Sequence, residues 1–227
     1  MTMSYDSEMR QANAPNWLVA LAFGLVLVGL FGFAQPWIVA PSGSMTLNAF
    51  DLAEWTSLHP TQRATSPPML TPLMLRLQLL ILSVILGALP TGSSARACAA
   101  IMILVLTLAQ LPPLDIVYDP NNLNYRQQLY LAAASLTASF CLFAVNRRRI
   151  ALLASIALPI IGIATASYGL AEAAGLYQHF EIGQAPGAGI WILGASYIGI
   201  AAIAGALRHI RRRFRINRMR MSQRLRE

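Results

Sequence analysis

Residues 189–213 read GIWILGASYIGIAAIAGALRHIRRR, an apolar run that passes directly into a basic one. All 17 basic residues of the chain are arginines, and nine of them lie in the last twenty residues. Arginine collects on the cytoplasmic flanks of membrane-spanning helices. The junction therefore predicts a membrane helix that ends in the cytoplasm and continues into a basic tail.

The composition of the whole chain agrees with this interpretation. Of its 227 residues 56% are hydrophobic and 11% are charged, with a mean hydropathy of +0.53, whereas soluble proteins carry about 25% charged residues. The net charge of +8 is concentrated in the tail, so it does not indicate nucleic-acid binding. Cys98 and Cys141 fall in apolar segments, where free thiols are predicted to pack as small hydrophobes.

Six apolar segments approach the length of about 20 residues that crosses about 30 Å of hydrocarbon. They are residues 17–38, 73–89, 97–111, 129–145, 150–171 and 189–207. We therefore expect an all-α integral membrane protein with six transmembrane helices. The second and third segments are the shortest, and turn-forming residues join them. A re-entrant hairpin formed by this pair is the alternative.

The arginines also predict an orientation. With the N-terminus inside, fourteen arginines face the cytoplasm, and Arg63, Arg76 and Arg126 face outward. The protein is thus expected in a cell (inner) membrane, with both termini on the cytoplasmic side. The predicted organisation is an N-terminal segment 1–16, a transmembrane domain 17–207 and a tail 208–227. Its outer loops are residues 41–72, 112–128 and 172–188.

The first outer loop contains two features of interest. Leu47, Phe50, Trp55 and Leu58 approximate one helical face, which predicts a short helix in the headgroup region. Just before it, the sequence Pro-Ser-Gly-Ser-Met at 41–45 resembles the catalytic serine box of type I signal peptidases. The resemblance implies Ser44 as a nucleophile. In the bacterial family a lysine activates that serine, and this chain has no lysine.

Other chemistry-bearing residues lie away from the middle of the predicted spans. His59 and His179 fall in outer loops and His209 begins the tail, so we predict no haem, no metal and no other cofactor. Arg76 is expected to extend toward the headgroups from the outer end of the second span. Pumps and ion-coupled transporters need ionisable groups at membrane depth and are therefore disfavoured. The serine and threonine hydroxyls of the spans are expected to bond to their own helices.

Small residues form faces on which membrane helices associate, because they let backbones approach closely. The predicted packing residues are Ala195, Gly199, Ala202 and Ala206 in the last span and Ala20 and Gly24 in the first. Gly29 and Gly32 follow in the first span. Packing within the bundle and contact with a partner subunit both remain open.

The tail has a basic amphipathic pattern. Ile210, Phe214, Met221 and Leu225 recur at steps of four, seven and four. The predicted binding residues are Arg208, Arg211, Arg212, Arg213, Arg215, Arg218 and Arg220. An anionic inner leaflet is the expected partner, and an acidic protein is the alternative.

These observations favour a non-catalytic membrane protein that serves as an accessory or scaffolding subunit of a larger membrane complex. Other membrane protein subunits are its expected partners. One alternative is a permease subunit of an ATP-driven transporter. Another is a serine-dependent membrane hydrolase that acts through Ser44.

Overall fold

A computed structural model describes residues 16–40, 45–89, 93–144, 148–178 and 184–224. Eight α-helices lie within these ranges. They are α1 (Asn16–Ala34), α2 (Ala49–Leu58), α3 (Pro60–Ala64), α4 (Leu70–Ala88), α5 (Ser93–Leu108), α6 (Leu123–Ala144), α7 (Arg148–Gln178) and α8 (Ala188–Arg224). Five of them (α1, α4, α6, α7 and α8) are long and apolar enough to cross a membrane. The fold is thus predominantly helical, as expected of a multi-pass membrane protein, and α5 is a shorter sixth apolar helix.

A small sheet, which the sequence did not predict, lies at one end of the helical bundle. Strands β1 (Pro36–Val39), β2 (Thr46–Asn48) and β3 (Ala185–Pro186) form an antiparallel sheet in the order β2-β1-β3. The first predicted span reaches residue 38, but α1 ends at Ala34. Proline disfavours helical backbone at the residue before it, so Pro36 ends the helix at this point.

Helical structure extends into all three segments predicted as outer loops. The first contains α2, α3 and the start of α4, and residues 172–178 complete α7. Helix α2 packs against α4 with a face of small and aliphatic residues, namely Ala49, Leu52, Ala53, Thr56 and Ser57. The short helix expected in this loop is thus present, and Phe50 and Leu58 lie on its exposed side. Small side chains let α2 approach α4 closely.

Helix α4 lies at the centre of the bundle and packs against α2, α5, α6 and α7, while α8 packs against α1 and α7. Helices α4 and α6 run parallel. Arg76 bonds to Gln127 near their beginnings, and Ser83 bonds to Ser139 further along both. The chain between them must therefore return from one end of the bundle to the other, and α5 lies on that return path.

The beginning of α5 lies level with the C-terminal end of α6. Arg96, in the first turn of α5, donates a hydrogen bond of 3.0 Å to the carbonyl of Phe143. Helix α4 thus reaches as far as its long neighbour α6. Helix α5 has 16 residues and is about 24 Å long at 1.5 Å per residue, which is less than the hydrocarbon thickness of about 30 Å.

Candidate functional site

A buried arginine lies near the sheet end of the bundle. Arg76, in the second turn of α4, is only 4% exposed, so the expectation that it extends outward toward the headgroups is wrong. Its Nη2 donates to Oε1 of Glu54 at 2.7 Å, and its Nη1 donates to Oε1 of Gln127 at 3.2 Å. A buried guanidinium requires such partners because desolvation of an unpaired charge is costly.

The carboxylate of Glu54 accepts hydrogen bonds from side chains of α4 and α6. Besides Arg76, the amide nitrogen of Gln128 donates to Oε1 at 2.8 Å and that of Asn124 donates to Oε2 at 3.2 Å. The contact between Arg76 and Glu54 is thus an ion pair supported by two amides. Asn124 and Gln128 lie in the first two turns of α6, where the helix dipole favours negative charge. We call Glu54, Arg76, Asn124, Gln127 and Gln128 the carboxylate cluster.

The cluster also fixes the entry into α4. The amide nitrogen of Gln127 donates to the carbonyl of Met69 at 3.1 Å. Met69 precedes α4 and has a left-handed backbone with φ of 56°. A bulky residue rarely adopts this conformation, so surrounding contacts must hold it. Gln127 therefore links Met69, the residue before α4, to α6, and its Oε1 also accepts a hydrogen bond from Arg76.

Sequence reasoning missed this cluster, although one signal was present. Asn124, Gln127 and Gln128 have spacings of three and four, which place three amides on one side of a helix. Glu54 was assigned to an outer loop and Arg76 to the headgroups. Only the tertiary packing of α2 on α4 brings these charges together.

Three polar contacts lie deeper in the bundle. The hydroxyl of Tyr197 donates to Oε1 of Gln78 at 3.0 Å, and Nε2 of Gln78 donates to Oγ1 of Thr165 at 2.9 Å. The hydroxyls of Ser83 and Ser139 lie 2.9 Å apart. This pair bonds between helices, whereas the hydroxyl of Thr107 donates to the carbonyl of Ile103 in its own helix, as expected.

An aromatic contact joins α2 to α7. The rings of Trp55 and Tyr177 stack with centroids 3.9 Å apart and planes inclined by 12°. The buried hydroxyl of Tyr177 has no hydrogen-bond partner within the part of the chain that the structure describes. This contact places the carboxylate cluster beside a closely packed apolar junction.

Most of the predicted small-residue faces lie on the exposed surface. Ala20, Ala195, Ala202 and Ala206 are exposed, and Gly24 and Gly199 are half-buried. Gly199 faces the Leu25 side chain, whereas a Cβ built on Gly24 would have no atom within 4 Å.

Gly32 lies at a close contact between α1 and α8. A Cβ at this position would lie 2.7 Å from the backbone nitrogen of Leu193. Gly29, Gly32 and Gly199 of the predicted faces therefore lie at close contacts within the bundle, whereas Ala20, Ala195, Ala202 and Ala206 do not.

The remaining predicted residues are placed as follows. Arg208 is exposed, and Arg211, Arg212, Arg213, Arg215, Arg218 and Arg220 lie along the backbone of α8, their side chains being outside the description. Ser44 and His179 lie outside the described residues. The prediction of packed thiols is wrong, because Cys98 and Cys141 are both exposed.

His59 lies close to Thr61, with its Nδ1 2.6 Å from the threonine hydroxyl. No three described His, Cys, Asp or Glu side chains come together as metal ligands would. In the carboxylate cluster, Glu54 accepts hydrogen bonds from Arg76, Asn124 and Gln128. Comparison with known proteins finds no match among family models, curated proteins or solved structures.

Proposed function

We propose that the chain is a non-catalytic subunit of a larger assembly in a cell membrane. The chain crosses this membrane six times, and both of its termini lie on the cytoplasmic side. It joins its partner through the basic C-terminal part of α8. The observation that carries the proposal is the length of this helix, which continues to Arg224 as one element.

Among the side chains of α8 that the structure describes, the last buried one is Leu207, and the adjacent Arg208 is exposed. Arg224 follows Leu207 by 17 positions in the helix, which is about 26 Å at 1.5 Å per residue. Residues 206–224 contain neither glycine nor proline, the residues that most often kink helices. The basic part therefore extends away from the bundle and does not lie flat on its end.

Distance decides which arginines a lipid surface can hold. The headgroup region adds about 5–8 Å beyond the hydrocarbon, and the leaflet potential decays within about 8 Å at physiological salt. Arg208, Arg211 and Arg212 lie within that range. Arg218 and Arg220 lie about 16–20 Å beyond Leu207 along the helix axis, where an acidic protein surface is the more suitable partner.

The exposed small residues support a second contact inside the membrane. Ala195, Ala202 and Ala206 lie on the exposed surface of α8 at steps of seven and four. Small side chains let a neighbouring helix approach closely, which is how membrane helices associate without a hydrophobic driving force. A partner subunit that binds both this face and the basic helix would contact α8 along most of its length.

Two matched sets of substitutions test the proposal. The distal set changes Arg218, Arg220 and Arg224 to Gln, and the proximal set changes Arg208, Arg211 and Arg212 to Gln, so each removes three charges. We expect the amount of partner that copurifies with the distal variant in mild detergent to fall at least about tenfold, which corresponds to about 1.4 kcal/mol of binding free energy. The proximal set should instead reduce binding to anionic vesicles.

Retention of every partner by the distal set would overturn the role of the basic helix. An ATPase among the copurifying proteins, whose activity depended on this chain, would instead assign the permease function.

A further inference from the structure

We propose that Arg76, Asn124 and Gln128 form a binding site for the carboxylate of a small organic acid. Glu54 occupies this site as an internal ligand that the external acid must displace. The site lies at the sheet end of the bundle, away from the basic helix, and the proposal is independent of the subunit function.

The donors and the acceptor come from different parts of the fold. Arg76 belongs to α4, and Asn124 and Gln128 belong to α6, whereas Glu54 belongs to the cap helix α2. The three donors lie 2.7, 3.2 and 2.8 Å from the carboxylate oxygens. Guanidinium and amide groups match the planar geometry of a carboxylate. Helices α4 and α6 therefore supply all three donors to the carboxylate, and α2 supplies none.

Burial differs sharply between the two charged partners. The side chain of Arg76 is 4% exposed and that of Glu54 is 37% exposed. Rotation of Glu54 toward solvent would vacate the oxygen positions while α2 stays in place, held by the fully buried Leu52 and Ala53. The site can thus exchange its ligand from the solvent side while its donors remain fixed.

The site has hydrogen-bonding capacity that Glu54 does not use. Arg76 Nε and Asn124 Oδ1 are buried and have no partner among the described residues. A carboxylate that approaches the guanidinium side-on binds Nε and Nη2 together, the bidentate geometry that arginine favours. An untethered acid could therefore form one more hydrogen bond to Arg76 than Glu54 forms, and a hydroxyl next to its carboxylate could donate to Asn124.

The position at the beginning of α6 adds to the attraction for an anion. The first backbone N–H groups of a helix lack intrahelical acceptors and carry partial positive charge. Asn124 and Gln128 lie in this region of α6. A buried arginine, two amides and a helix N-terminus thus surround one carboxylate.

The test uses the full chain in a non-ionic detergent, with sodium acetate as the probe and sodium chloride at equal ionic strength as the reference. We expect acetate to raise the Tm of Glu54→Ala in a saturable way. Its midpoint concentration should be at least about tenfold lower than that of the wild type, in which the tethered carboxylate competes. Glu54→Gln keeps the shape of the side chain and should give an intermediate midpoint.

Two controls define the site. Arg76→Met in the Glu54→Ala background should abolish the acetate response, and Glu172→Ala, which removes an exposed carboxylate on α7, should behave as the wild type does. Equal responses of Glu54→Ala and Glu54→Gln to acetate and chloride would overturn the proposal. A second contrary result is that acetate raises the Tm of the variants but not that of the wild type, even at about a hundred times the midpoint concentration of the variants. That result would overturn the proposal that an external acid displaces Glu54, whose bond to Arg76 would then be a structural contact.

Discussion

The hydroxyl of Tyr197 on α8 lies 3.0 Å from Oε1 of Gln78 on α4, and both side chains are fully buried. Gln78 in turn donates to Thr165 on α7. One glutamine thus joins three of the long helices at a depth where water is excluded. In such surroundings an unpaired polar atom is costly, so each partner depends on the others.

Tyr197→Phe removes the hydroxyl and leaves Oε1 of Gln78 without that donor. We expect a loss of about 1–2 kcal/mol in the free energy of unfolding in mixed micelles. Tyr118→Phe, at a side chain that is 88% exposed, should change the same quantity by less than about 0.5 kcal/mol. Equal effects of the two substitutions would contradict the role of this contact.

Gly32→Ala and Gly194→Ala should have opposite signs. A Cβ on Gly32 would lie 2.7 Å from the backbone nitrogen of Leu193, so α1 and α8 must separate at a cost of about 1–3 kcal/mol. A Cβ on Gly194 would have no atom within 4 Å, and the higher helix propensity of alanine should stabilise by about 0.5–1 kcal/mol. Reversible unfolding of both variants measures the difference.

Glu54 and Arg76 should be strongly coupled. Glu54→Ala leaves a buried arginine without its counter-ion and should destabilise by about 3 kcal/mol, at the lower end for buried pairs because Glu54 is partly open to solvent. The double variant Glu54→Ala, Arg76→Met should be more stable than Glu54→Ala alone. Additive effects in this double-mutant cycle, with a coupling energy below about 0.5 kcal/mol, would show that the pair contributes little.

Single cysteines should report the path of the chain across the membrane, once Cys98 and Cys141 are replaced by serine. Leu58→Cys and Leu114→Cys, at side chains 75% and 86% exposed, should react with an impermeant maleimide from the outside. Ala95→Cys, at the start of α5, should react only from the cytoplasmic side. Protection of Ala95→Cys from cytoplasmic reagent would instead favour the re-entrant hairpin.

The apolar segments could be located from the sequence because hydropathy over about 20 residues reflects the thickness of the bilayer. Boundaries were less accurate, since Pro36 ended α1 early and α7 continued through Glu172 to Gln178. Those ends depend on local backbone preferences and on packing against neighbouring elements, which an average over a window does not contain.

The contacts between helices could not be predicted from the sequence. A stripe of small residues has the same pattern whether it faces the bundle or the outside, and Ala195, Ala202 and Ala206 proved to be exposed. Glu54 and Arg76 are 22 residues apart and belong to different helices. Their pairing follows from the position of α2 on α4, which neither periodicity nor charge counting determines.

The central claim is that the chain functions as a subunit of a membrane assembly. Its most direct test is the native mass of the complex that contains the full chain, extracted from its own membrane in mild detergent. We predict a mass well above the 24.7 kDa of the chain, with a second protein in fixed stoichiometry. A monodisperse particle that contains this chain alone, as one copy, would contradict the claim.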